Sequence, residues 1–167
     1  MFEQVSNVAL KSYLNGEAIT VGFPNAGNLP EQLDGIATML NEDRGDKNPP
    51  IHAKDRGVDV IGWNSFGDSR RGQVIILMQC AAGKNWSLKK QIILDVWSQY
   101  INWNFFTTIP SMAITEILPT KKWADAVETF GIVFDRARLY RFLYKANTTI
   151  EPALRADVVK WCGNQLN

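Results

Sequence analysis

Residues 54–86 read KDRGVDVIGWNSFGDSRRGQVIILMQCAAGKNW, and the fold turns on this stretch. Residues 58–63 and 73–80 are rich in β-branched and large apolar side chains. The loop between them carries Gly, Ser and Asp, so the segment reads as two antiparallel strands joined by a long hairpin connection. Strand alternation places Asp59 with Ile61 and Trp63, and Gln79 with Ile75 and Leu77. Each apolar strand then carries one polar side chain that burial penalises unless a partner satisfies it.

Working outward, residues 2–14 show an apolar stripe (Phe2, Val5, Val8, Ala9, Leu10, Tyr13, Leu14) closed by Gly16, which predicts an opening helix. Residues 18–23 form a short apolar run, either a strand or an extended segment. Residues 29–41, with Pro30 in the first turn, predict a second helix. Beyond Trp86, Ser87 offers a cap for a broad apolar helix over 88–101, in which Leu88, Ile92, Val96 and Tyr100 recur every four residues. Residues 111–118 then read as a strand, 121–128 as a short helix, 131–134 as a strand, and 135–144 and 152–166 as closing helices. This order predicts one α/β domain over residues 1–167, with a mixed central sheet and a long β-hairpin flanked by helices.

A 167-residue chain that is 46% hydrophobic suits one sizeable core. Its net charge of +1 excludes a generally basic nucleic-acid-binding protein, although Arg70 with Arg71, or Lys89 with Lys90, can still meet phosphates locally. Cys80 and Cys162 lack a CxxC arrangement, and His52 is the single histidine, which argues against zinc and for two buried reduced thiols in a cytoplasmic protein. The N-terminus lacks the pattern of an export signal, and no apolar stretch is long enough to span a membrane, so no membrane partner is expected.

The opening FE of the first helix, the strand GVDVI and the apolar strand ending in QC resemble the restriction-endonuclease-like nucleases of the PD-(D/E)xK superfamily, especially the Mrr-like members. The resemblance spans about residues 1–118 by element order. It implies a restriction-endonuclease-like fold and a metal-dependent DNA endonuclease, with Mg²⁺ or Mn²⁺ as cofactor, DNA as partner and a role in bacterial defence against foreign DNA. In that family a Glu on the first helix, an Asp on one strand and Glu/Gln-x-Lys on the next build the site. The matching positions here are Glu3, Asp59 and Gln79, while the lysine position two beyond Gln79 holds Ala81.

Phosphodiester hydrolysis explains the residue types. A hard cation takes oxygen ligands, for which Asp59 and Gln79 are the strand candidates and Glu3 or Glu42 the helix-borne one. A lysine offsets charge developing on the phosphoryl group, and Lys84, in the AAGKNW turn, is the nearest replacement for the missing one. Each residue has a plainer role: Asp59 a carboxylate paired with Arg56, Asp55 a loop acid, Gln79 a partner of strand-end backbone, Lys84 a surface lysine, and Glu3 and Glu42 solvated helix charges. His52 reads as an ordinary loop histidine. The six tryptophans read as core, and Arg136, Arg138 and Arg141 as a basic helix face.

The runner-up is a catalytically degenerate module of the same fold that binds nucleic acid, a partner subunit or a second copy through the aromatic segment 100–106. A hydrolase of small phosphate ligands ranks last, because no GxxxxGK[ST] motif is present.

Overall fold

Val60 to Asn64 and Val74 to Ala81 pair antiparallel, with Val60 opposite Met78 and Asn64 opposite Val74, so the hairpin expected from residues 54–86 is formed. The computed structural model describes residues 1–21, 29–50, 55–103, 108–145 and 150–165. In chain order its elements are α1 (Phe2–Leu14), β1 (Glu17–Thr20), α2 (Leu29–Met39), β2 (Asp43–Arg44), β3 (Val60–Asn64), β4 (Val74–Ala81), a 3-10 turn (Trp86–Leu88), α3 (Leu94–Tyr100), β5 (Ile101–Asn102), β6 (Ile109–Ile114), α4 (Thr120–Phe130), β7 (Ile132–Phe134), α5 (Arg136–Lys145) and α6 (Pro152–Gln165).

The main sheet has five strands in the order β1-β3-β4-β6-β7. β3 runs antiparallel to both β1 and β4, while β4, β6 and β7 run parallel to one another, so the sheet is mixed. Parallel strands need crossovers. The segment carrying α3 connects β4 to β6, and α4 connects β6 to β7. Strands β2 and β5 form a separate two-stranded ribbon that the sequence reading did not anticipate.

Alternation along β3 and β4 feeds two layers. Val60, Ile76, Met78 and Cys80 meet Ala9 and Leu10 of α1 and Leu139 of α5 on one face. Ile61, Trp63, Ile75 and Leu77 meet α2 and α3 on the other, with Trp97, Tyr100 and Ile101. Gly62 allows α1 to approach this closely, since a Cβ there would lie 2.6 Å from Leu10 Cδ2 and 2.8 Å from Leu14 Cδ1.

The expected helix over 88–101 is shorter in fact. Residues 86–88 form a 3-10 turn, Lys89 is extended, and α-helix begins only at Leu94. Trp86 belongs to a third apolar cluster with Met112, Phe130 and Val133, whereas Ile92 and Trp97 belong to the α2–α3 layer. One unbroken helix would have to serve both clusters with a single face, and the chain instead straightens between them. Leu88 and Ile93, part of the predicted stripe, are consequently exposed. Ile92 remains in the core, so Ile92→Ala is expected to cost about 2–5 kcal/mol by leaving a cavity; an unchanged denaturation midpoint would contradict this packing.

Other expectations also need correction. Tyr100 is buried against Trp97 rather than displayed for a partner, and residues 104–107 of the aromatic segment lie outside the described residues. Cys80 is buried as expected, but Cys162 is exposed. His52 and Lys54 lie outside the described residues. No helix among the described residues is long and apolar enough to cross a membrane.

Candidate functional site

At the entry to β3 the hydrogen bonding leaves register. Val60 stands opposite Met78, yet the Asp59 amide also donates to the Met78 carbonyl at 2.9 Å, while the Asp59 carbonyl accepts from Val21. Asp59 and Val60 therefore both face Met78, the two-against-one arrangement of a β-bulge, which ends regular pairing and re-aims the side chain it carries. Simple alternation, which put Asp59 with Ile61 and Trp63, does not carry across this point.

The re-aimed carboxylate takes over a position in the ladder. Asp59 Oδ2 accepts from the Cys80 amide at 2.6 Å, the donor that a continuing strand would have satisfied. Asp59 is thus bonded to Met78 and to Cys80, the two residues that flank Gln79.

Asp59 is buried, and its pKa rises from the ordinary 3.8 to about 6. Loss of hydration is the largest cause. The Cys80 amide opposes it, the negative charges of Asp55 and Glu3 add to the rise, and Lys89 lowers it. Two acids and one lysine therefore reach this carboxylate electrostatically. Asp55 sits in the turn before β3, where its Oδ1 accepts from the Gly57 amide at 2.8 Å. Glu3 lies in the first turn of α1, the helix packed on the Cys80 face of the sheet.

Gln79 is buried, and its Oε1 has no hydrogen-bond partner. Its Nε2 lies against Gly57, where an added Cβ would stand 3.1 Å away. The amide lines a cavity of about 190 Å³ together with Gln91, Ile92 and Ser111. A buried amide oxygen without a donor calls for one, and a cation or a ligand hydrogen would satisfy it.

Lys89, not Lys84, is the lysine at this site. Its Nζ donates to the Cys80 carbonyl at 2.9 Å, directly beside the Asp59–Cys80 bond. Lys84 is exposed in the turn after β4. The sequence singled out Lys89, with Lys90, only as a cation able to meet phosphates, and reading 88–101 as one helix gave no reason to place it beside Cys80. Ala81 is buried in the cluster of Trp86 and Met112, so the strand position of the family lysine is an apolar one here.

Glu42 is not brought to this site. The adjacent Asp43 pairs with Arg71 of the β3–β4 loop at 2.5 Å, and the Gln73 amide bonds the Leu40 carbonyl, which places this segment at the loop end of the hairpin. Asp59 is at the opposite end, on the order of 17 Å away along a five-residue strand. Of the candidates, Asp59, Gln79 and Glu3 lie at this end of β3 and β4, with Gln79 and Glu3 on opposite faces of the sheet; Lys84 is exposed in the turn just beyond it, and Glu42 is at the far end of the hairpin.

Two neighbouring groups are structural. Burial pushes the Cys80 thiol up to about 12, so it stands as a protonated thiol at neutral pH. Asp135 accepts from the Leu118 amide and from the Arg138 amide, which caps α5. A larger cavity of about 750 Å³ lies elsewhere, between α1, β1, α2 and α6, and shares no lining residue with the Asp59 site.

Among the described residues no three His, Cys, Asp or Glu side chains are placed to hold a metal ion together. Gln79 follows the alternation of β4 onto the face of Ile75 and Leu77, toward α3, whereas Glu3 comes from α1 on the Cys80 face, so the two approach this strand end from opposite sides of the sheet. The acids whose charge is felt at the Asp59 carboxylate are Glu3 and Asp55. No family model, curated protein or solved structure matches this chain.

Proposed function

We propose that the chain is a restriction-endonuclease-like nuclease that hydrolyses DNA phosphodiester bonds with Mg²⁺ or Mn²⁺. The observation that carries the reading is the buried Asp59 carboxylate, fixed at a bulge between the two neighbours of Gln79, with an acid of α1 and a lysine in reach. A first helix followed by a mixed sheet in which the Asp59 and Gln79 strands are neighbours supports the reading.

Asp59, with Glu3 from α1 or Asp55 from the preceding turn, would hold the cation, which would supply Lewis-acid polarisation of the phosphoryl oxygen and a more acidic bound water; Gln79, on the other face of β4, is not part of this set. The remaining work belongs to the chain. The bulge positions the Asp59 oxygen that the Cys80 amide does not use, and burial keeps the carboxylate poorly hydrated, so a cation competes with little water there. Because Asp59 loses its proton only near pH 6, cation affinity is expected to rise with pH across that range. Lys89, anchored by the Cys80 carbonyl, brings a fixed positive charge against a phosphate undergoing attack.

The test compares two lysines. Lys89→Met is expected to lower cation-dependent cleavage of supercoiled DNA by roughly 10²–10³-fold, the scale of losing one charge-stabilising donor. Lys84→Met is expected to leave cleavage near the wild-type rate. Equal activity of Lys89→Met and wild type would remove Lys89 from the mechanism.

One observation favours a second reading, a degenerate nuclease fold that binds nucleic acid without cutting it. Ala81 occupies the family's lysine position in an apolar setting. That reading expects no cleavage by the wild type with either cation.

A further inference from the structure

The basic helix α5 carries a feature that the cleavage site does not use. Its sequence, RARLYRFLYK, contains four cations and no acid, in a chain whose net charge is only +1. One side packs on α1 through Leu139, Phe142 and Leu143. The opposite side exposes Tyr140 at 69% and Tyr144 at 74%, with their rings stacked at 6.3 Å and 27° between planes. Arg136, Tyr140 and Tyr144 succeed one another at four-residue intervals and so share one stripe of the helix. Arg141 and Lys145 are exposed beside them.

The cations of this face, Arg136, Arg141 and Lys145, form no ion pair among the described residues, and Arg141 rests loosely over the Phe142 ring at 5.9 Å. Arg138 is held by the Val133 carbonyl and lies over the Trp123 ring at 4.4 Å. The acid of α1 is Glu3, whose charge is felt at Asp59. Two exposed, near-parallel aromatic rings flanked by exposed cations that form no ion pair match the chemistry of a strand with accessible base faces and phosphates at regular spacing.

We infer that the outer face of α5 is a binding platform for single-stranded nucleic acid, with Tyr140 and Tyr144 stacking on bases and Arg136, Arg141 and Lys145 meeting phosphates. The partner class rests on the nucleic-acid reading above, and the surface is argued from its own residues. Duplex bases present no free faces to an exposed helix, so single strands are the favoured form. An exposed tyrosine pair one turn apart also stabilises a helix slightly by itself. The experiment separates these roles.

Fluorescence anisotropy with labelled oligothymidylate is measured on Asp59→Asn protein in EDTA, so that binding is read whether or not the chain cleaves. Tyr140→Ala with Tyr144→Ala is expected to weaken binding about tenfold or more, while the double Phe variant, which keeps both rings, binds as the parent does. Arg136→Gln with Arg141→Gln is expected to reduce the slope of log affinity against log salt by about 1.4, the share of two phosphate contacts on a single strand. The inference is overturned if the parent does not bind, or if the Ala pair lowers stability while leaving affinity unchanged. Duplex binding that is equally tight and indifferent to the tyrosines overturns it as well. Absence of cleavage by the wild type, with oligonucleotide binding and tyrosine dependence intact, would overturn the nuclease reading alone.

Discussion

Asp59→Asn is expected to abolish cation-dependent cleavage and, at pH 8, to make the protein more stable than the wild type. The sign follows from the shift. The folded pKa of about 6 lies above the ordinary 3.8, so the carboxyl is bound more readily by a proton in the folded state. Its favourable contribution is complete below about pH 4 and is lost as pH rises through 6. A shift of that size corresponds to about 3 kcal/mol. Asn keeps an oxygen for the Cys80 amide and carries no charge to desolvate, so the variant escapes this loss. Urea denaturation should show the two proteins close at pH 4 and separated at pH 8 by up to about 3 kcal/mol in favour of the variant. Mg²⁺ or Mn²⁺ should then stabilise the wild type at pH 8 and leave the variant unaffected, because binding to the native state alone raises stability. Cleavage by Asp59→Asn would end the proposed role of this carboxylate, and equal pH dependence of the two proteins would end the account of its burial.

Gly131→Ala is expected to have the largest effect on folding. Gly131 closes α4 with φ 76° and ψ −128°, a backbone conformation that side chains oppose, and its amide donates to the Val127 carbonyl. A Cβ there would stand 2.2 Å from the Pro110 carbonyl oxygen, a backbone atom of β6 that cannot swing aside. Strain and overpacking together put the cost at about 3–5 kcal/mol, a large part of the stability of an ordinary domain. Gly72→Ala is the control. Its φ is 87°, but nothing lies within 4 Å of an added Cβ, so about 1 kcal/mol of conformational strain is expected. Denaturation midpoints of the two variants check the comparison, and similar losses would show that the approach of Pro110 contributes nothing.

Elements whose information is local were legible in the chain. The 3.6-residue stripe of 2–14 gave α1, and β-branched runs around a glycine-bearing loop gave β3 and β4 within one residue or two. Asp59 and Gln79 could be singled out because a polar side chain inside an apolar strand stands out from its neighbours. Tertiary structure decided what depended on distant partners. The apolar stripe of 88–101 is ambiguous by itself, and it breaks because Trp86 and Trp97 enter different clusters on the sheet. That break leaves Lys89 extended, so its ammonium reaches the Cys80 carbonyl, which no spacing rule relates to it. Glu3 gains its place by the docking of α1 on β3, whereas Glu42, nearer in sequence to Asp59, is carried to the far end of the hairpin by Asp43 and Arg71. The direction of the Asp59 side chain depends on one extra residue against Met78, and a bulge has no side-chain period from which to read it. Composition and periodicity thus specify which segments are buried, and the approach of Glu3 and Lys89 to Asp59 arises only when packing brings α1 and the segment after β4 to the strand end, while Gln79 is left on the other face.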